Sequence, residues 1–151
     1  MIKIITVGKI KEKYLHDALN EYEKRLTKYT KLKIIELNDI NDKNTQIVLN
    51  KEKDEIIKYV NSNDYVISLD INGKMLSSIE FASKLDNLFI TNSNITFIIG
   101  GSYGLHDDVK NLSNELISFS KLTFPHQLFR VMLLEQIYRC FRINNNESYH
   151  K

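Results

Sequence analysis

A chain of 151 residues, 42% hydrophobic and 26% charged, has the composition of an ordinary globular protein large enough for one real core. Its formal net charge of +2, from 21 basic and 19 acidic residues, excludes a nonspecific polycation but allows a basic face that meets nucleic acid. The single cysteine, Cys140, excludes a disulfide framework, and no apolar run reaches the roughly 18 residues of a membrane span. Residues 1–10 lack a secretory signal, so the expectation is a cytoplasmic protein with no membrane partner.

The β-branched run Ile2–Val7 predicts a strand buried in a parallel sheet. Leu15, Ala18, Leu19, Tyr22, Leu26 and Tyr29 then recur at spacings of three and four, which predicts a helix. Leu32–Leu37 reads as a second strand, 38–44 as a polar loop, and a helix follows through Ile56, Ile57 and Val60. A third strand covers 65–69 and is ended by Asp70 and the turn pair Asn72-Gly73. Ser77-Ser78-Ile79-Glu80 has capping-box spacing and opens a helix to about Phe89. The most apolar strand, 95–99, runs into Gly100-Gly101. A short helix near 106–112, a fifth strand over 116–120 and a long helix over 125–144 complete the chain. Pro125, the only proline, suits that helix's first turn. Strands alternating with helices predict an α/β fold with a mainly parallel sheet, in one domain over 1–151. The Asn-rich stretches 38–44 and 144–146 read as compositional bias.

In an open α/β sheet, ligands bind beyond the carboxyl ends of the strands. Three such ends carry unusual residues: Leu69-Asp70, Gly100-Gly101-Ser102-Tyr103-Gly104, and Ser120-Lys121-Leu122-Thr123-Phe124. They are distant in sequence but converge on one sheet edge. The glycines permit close backbone approach to a ligand, although a tight strand-to-helix turn explains them as well. Neither a dinucleotide fingerprint nor a Walker A loop is present. The 121–124 connection, stiffened by Pro125, exposes backbone groups that can read an adenine edge, with Leu69, Leu122 and Phe124 about its ring. An ordinary connection is the alternative.

On the last helix Phe129, Met132, Leu133, Ile137, Cys140 and Phe141 form an apolar face. Gln127, Arg130, Arg139 and Arg142 offer phosphate contacts, or else a solvated face with the Glu135–Arg139 pair. The four histidines show no metal spacing, and His126 adjoins the expected pocket. By position alone, Ser148-Tyr149-His150-Lys151 reads as a frayed end.

Several of these residues carry a resemblance. Phe97-Ile98-Ile99-Gly100-Gly101-Ser102-Tyr103-Gly104-Leu105, Phe119-Ser120-Lys121-Leu122-Thr123-Phe124-Pro125-His126-Gln127, Arg130, Glu135-Gln136-Ile137-Tyr138-Arg139 and Tyr149-His150-Lys151 form blocks in fixed order. With Val7-Gly8-Lys9-Ile10-Lys11 and Gly73-Lys74, they resemble the ribosomal large subunit methyltransferase H (RlmH) family of SPOUT enzymes over essentially the whole length. The residue at Tyr103 varies in that family, and 144–148 is richer in asparagine than usual.

The resemblance implies the SPOUT, or α/β-knot, fold, with helices on both faces of the sheet and a C-terminal trefoil knot. It implies transfer of a methyl group from S-adenosyl-L-methionine to N3 of a pseudouridine in 23S rRNA of the assembled ribosome, by a homodimer without a metal. The cofactor contacts it carries over fall on Leu69, Gly100, Phe119, Ser120, Lys121, Leu122, Thr123 and Phe124. Tyr149 and His150 take catalytic positions on the substrate side, in a site shared between protomers. Arg130, Arg139, Arg142 and His126 are the expected RNA contacts. The competing expectations are a SPOUT enzyme for another rRNA or tRNA position, a non-catalytic ribosome-binding protein, and a generic nucleotide-binding module.

Overall fold

The computed structural model describes residues 1–151 and alternates strands with helices. In order these are β1 (Ile2–Val7), α1 (Lys13–Leu26), β2 (Leu32–Leu37), α2 (Thr45–Ile57), β3 (Asp64–Met75), α3 (Ser78–Thr91), β4 (Asn94–Ile99), α4 (Asp107–Leu112), β5 (Glu115–Ser118) and α5 (His126–Asn144). All pairings in the five-stranded sheet are parallel, in the order β2-β1-β4-β3-β5. β1, between β2 and β4, is buried at every residue because helices cover both faces; Lys3, buried with the rest, is paired with Asp64 at 2.6 Å. α1, α3 and α5 close one face over a core of 20 buried residues, including Ile4, Phe97, Leu133 and Ile137. α2 and α4 close the other over eight, among them Ile5, Ile56, Ile98 and Val109. No helix is long and apolar enough to cross a membrane.

Two strand boundaries differ from expectation, and both shape the ligand edge. β3 does not end at Asp70: residues 70–73 leave the ladder and the strand resumes, so that Leu69 and Lys74 both pair with Ile117. Asn72-Gly73 forms this excursion rather than a terminating turn. Gly73 passes so close to β5 that a Cβ on it would lie 2.7 Å from the backbone of Ile117, which only glycine tolerates. β5 in turn stops at Ser118, short of the expected 120. There the Ser118 hydroxyl donates to the Ser120 carbonyl (2.9 Å), and the Leu122 N–H donates to the Ser120 hydroxyl (3.0 Å). These local bonds draw the chain out of the ladder.

The expected capping box is present at Ser77 and Glu80, fixing the start of α3. Four asparagines of the Asn-rich stretches have structural roles. Asn44 caps α2 by accepting from the N–H groups of Gln46 and Ile47. Asn146 adopts φ 54°, a left-handed conformation that asparagine tolerates, and turns the chain back along α5. Asn144 and Asn145 donate to the carbonyls of Ala82 and Phe141 across the same reversal.

Candidate active site

The three predicted strand ends meet around one cavity of about 400 Å³. β3 supplies Leu69 through Asn72, β4 runs into the Ile99-to-Leu105 wall, and Ser118 through Ser120 with Leu122, Thr123 and Phe124 forms a third side. His126 and Phe129, from the first turn of α5, complete it. Gly100 is required by the β4 turn, since a Cβ there would stand 2.5 Å from the Gly104 carbonyl oxygen. Gly104 itself holds φ +77° and donates its N–H to the Gly101 carbonyl at 3.1 Å. Phe129 braces the opposite side, 4.9 Å from the Phe119 ring and stacked at 6.1 Å on Phe124.

Of the eight expected cofactor contacts, seven line this cavity; Lys121 does not, and its side chain is exposed on the loop. Sequence reasoning missed Lys110 and Phe129. Lys110 sits 3.3 Å from Asp70 in an ion pair at the cavity wall. Behind the glycine turn lies Glu52 of α2, only 6% exposed, with its carboxylate against Gly101. Burial, helped by the charge of Asp39, raises its pKa to about 7.

A second cavity of about 390 Å³ adjoins the first and shares Ser118, Phe119 and Phe124 with it. Its remaining walls come from Leu76, Ser77, Ser78 and Phe81 at the start of α3, from Ile117, and from Met132, Glu135 and Gln136 in the middle of α5. Its polar groups are connected. The Ser78 hydroxyl donates to Gln136 Oε1 (2.8 Å), and Gln136 Nε2 donates to Glu135 Oε2 (2.8 Å).

Glu135 also anchors the last residues of the sequence. Its Oε1 accepts from Arg139 Nε (3.0 Å) and Nη2 (2.5 Å), and from the Tyr149 hydroxyl (3.0 Å). The Tyr149 ring packs edge-on against Tyr138 (5.0 Å) and under the Arg139 guanidinium (4.7 Å). Burial, then hydrogen bonding to Tyr22 and Glu135, raises the Tyr149 pKa, so the phenol stays protonated at neutral pH. The 148–151 segment is therefore folded back on α5 rather than frayed. Neither Tyr149 nor His150 lines either cavity of its own chain. Their anchor Glu135 lies roughly 13 Å along α5 from His126 at the first cavity. His150 Nδ1 is 3.2 Å from Arg139 Nη1 and must accept there, because a guanidinium only donates. In this arrangement a neutral His150 ring carries its hydrogen on Nε2.

Of the four expected RNA contacts, the structure overturns Arg130 and gives Arg139, Arg142 and His126 partners within the chain. Arg130 is fully buried and cannot meet a phosphate. Its guanidinium faces the sheet, donating to Glu36 (2.6 Å), Thr6 (3.1 Å) and the Gly8 carbonyl (2.7 Å), and so ties α5 to β1 and β2. Arg139 and Arg142 are mostly covered and hold the 147–150 segment, Arg139 through Glu135 and Arg142 through Glu147 and the Ser148 carbonyl. His126 packs its imidazole over Gly8, whose missing Cβ would otherwise stand 2.7 Å from Nε2, and walls the first cavity.

Comparison with known proteins agrees with this geometry. A family model described as "Predicted SPOUT methyltransferase" matches residues 1–150. Proteins from Clostridium acetobutylicum and Clostridium beijerinckii named "Ribosomal RNA large subunit methyltransferase H" are each 54% identical, over 99% of both chains. The solved structure of a "probable methylase family protein" from Haemophilus influenzae shares the fold, with a TM-score of 0.59 at 14% identity. It covers 99% of this chain and 70% of that one.

Proposed function

The chain belongs to the SPOUT methyltransferase family, and from that premise we propose that it methylates N3 of a pseudouridine in the 23S rRNA of assembled ribosomes, using S-adenosyl-L-methionine. The observation that carries this reading is the first cavity itself: the three segments that match the family's cofactor contacts, far apart in sequence, form its walls. The residues present fit an adenosyl group. Leu69, Leu122 and Phe124 offer apolar contact to a purine, while the backbone of the short 119–124 connection offers donors and acceptors to its edge.

When bound, the cofactor supplies a methyl group already activated by its sulfonium. The chain's own task is to align the acceptor nitrogen with that methyl and to remove the N3 proton. Alignment of this kind supplies up to about 7–11 kcal/mol, and a positioned base about 10²–10⁴-fold in rate. His150 is the base in this proposal. It takes the N3 proton on Nδ1 once that nitrogen leaves Arg139, and Tyr149 orients the base. A homodimer explains how the segment does this while sitting beside its own α5. Tyr149 and His150 of one protomer complete the cavities of the other. Exposed apolar side chains beside the two cavities, Ile79 (53% exposed) and Met75 (53%) next to the second and Leu122 (71%) at the first, supply contact area for that pairing. The trefoil knot, the single-domain organisation over 1–151 and a cytoplasmic location belong to the same reading. Arg139 and Arg142 then act on RNA mainly through the segment they hold.

The decisive experiment incubates the protein with labelled S-adenosylmethionine and ribosomes from a strain lacking this activity, and maps the methylated nucleotide by mass spectrometry. Label at a pseudouridine N3 of 23S rRNA is the expected result. Label in tRNA or at another rRNA position makes it a SPOUT enzyme of different specificity. Ribosome binding without transfer makes it a binding protein.

A further inference from the structure

The polar groups of the second cavity have an uneven inventory. Glu135 Oε1 already accepts from Arg139 and Tyr149, whereas Oε2 accepts only from Gln136 and keeps acceptor capacity. The Gln136 amide uses its oxygen for the Ser78 hydroxyl and one N–H for Glu135, which leaves one N–H free. Its orientation is fixed chemically, because a flipped amide would set its oxygen against the carboxylate. The cavity thus presents one free acceptor beside one free donor, among the rings of Phe81, Phe119 and Phe124. That arrangement complements a planar ring bearing an N–H next to a carbonyl.

In uridine, where N1 carries the ribose, the ring has such edges only at N3, and engaging one would block the nitrogen that receives the methyl. Pseudouridine is joined to its ribose through carbon, so its N1–H is free and adjoins the C2 carbonyl. Resting on the reading above, we propose that the second cavity holds the target base. Glu135 Oε2 accepts the N1–H and the free Gln136 N–H donates to the C2 carbonyl, so these two residues select pseudouridine over uridine and leave N3 open to the cofactor. The alternative occupant, the methionyl end of the cofactor, carries an ammonium that Glu135 would attract, and loss of S-adenosylhomocysteine binding in the Glu135 variants would place it there and overturn the proposal.

The test compares methyl transfer to two ribosome preparations, one with pseudouridine and one with unmodified uridine at the target position, for the wild type and for Glu135→Gln, Glu135→Asp and Gln136→Leu. S-adenosylhomocysteine binding is measured by calorimetry alongside. Wild type prefers pseudouridine, by about tenfold or more for one buried hydrogen bond. Glu135→Gln abolishes that preference, Glu135→Asp retains part of it, and Gln136→Leu slows both substrates, all with unchanged S-adenosylhomocysteine affinity. An intact preference in Glu135→Gln overturns the proposal, as does loss of S-adenosylhomocysteine binding in Gln136→Leu. So does complete inactivity of both Glu135 variants, which would make Glu135 the anchor of the 148–150 segment or a group in the chemistry, not a selector of the base. Failure of the wild type on both preparations would overturn the proposed function itself, before any variant is compared.

Discussion

Arg130 on α5 donates a 2.7 Å hydrogen bond to the carbonyl of Gly8, 122 residues earlier in the chain. With Glu36 and Thr6 as further partners, a fully buried guanidinium joins the last helix to the two strands at one side of the sheet. Arg130→Ala is expected to destabilise the fold by about 2–4 kcal/mol, through lost packing and unpaired buried acceptors. Urea denaturation checks this. A normal midpoint combined with weakened ribosome binding would return Arg130 to the RNA surface.

Gly73 is the second test of the architecture. Because a Cβ there meets backbone, not a flexible side chain, at 2.7 Å, Gly73→Ala must push β5 away from β3. The cost is expected at about 2 kcal/mol or more, within the range for overpacking. Since Ser118 and Phe119 follow directly, S-adenosylhomocysteine affinity should fall with stability. Calorimetry and thermal melting on the same sample test both, and unchanged binding would contradict the expectation.

Glu52 predicts a pH dependence. Burial raises its folded pKa from 4.5 to about 7, so the folded state holds a proton that the unfolded state has already released between those values. Its contribution to stability is full below 4.5 and is lost as pH rises through about 7. Glu52→Gln should therefore melt higher than wild type at about pH 8 and change little at about pH 4. Melting curves at both pH values decide it; an equal shift at each would mean that ionisation of Glu52 is not the cause.

His150→Ala is expected to slow single-turnover methyl transfer by about 10²–10⁴-fold, with S-adenosylhomocysteine affinity unchanged, because the proposal places His150 on the substrate side of the site and not among the cofactor contacts. Wild-type turnover would remove His150 from the proton transfer. Mixing His150→Ala with a variant defective in the first cavity, such as Gly100→Val, should restore activity if the segment acts across a dimer. Restored activity is expected only in the mixed species.

The periodicity of the sequence was enough to place all ten elements, because each buries a face whose spacing is local. The convergence of Leu69, Gly100 and the 119–124 loop was equally legible, since parallel strands put their carboxyl ends on one edge. What escaped were the long-range partners. Arg130 looks like a surface cation on its helix until β1 and β2 are placed against it. The run Ser148-Tyr149-His150 looks frayed until Asn146 turns it onto Glu135. Gly73 looks like a turn because nothing local reveals that β5 passes within contact of it. In each case the deciding neighbour is non-local, and a pattern read along one element carries no information about it.

The way the first cavity is assembled also has a consequence in time. Its walls come from β3 and β4 on one side and from Ser118 onward on the other, so the last wall is also the last to be synthesised. A growing chain that has reached α4 holds four of the five strands but only an open shelf where the pocket will be. Cofactor capture must then await the emergence of α5, and a ribosome-bound chain stalled after Leu112 should show no S-adenosylhomocysteine binding where the released protein does. The nascent enzyme would be inert towards the ribosome that is making it.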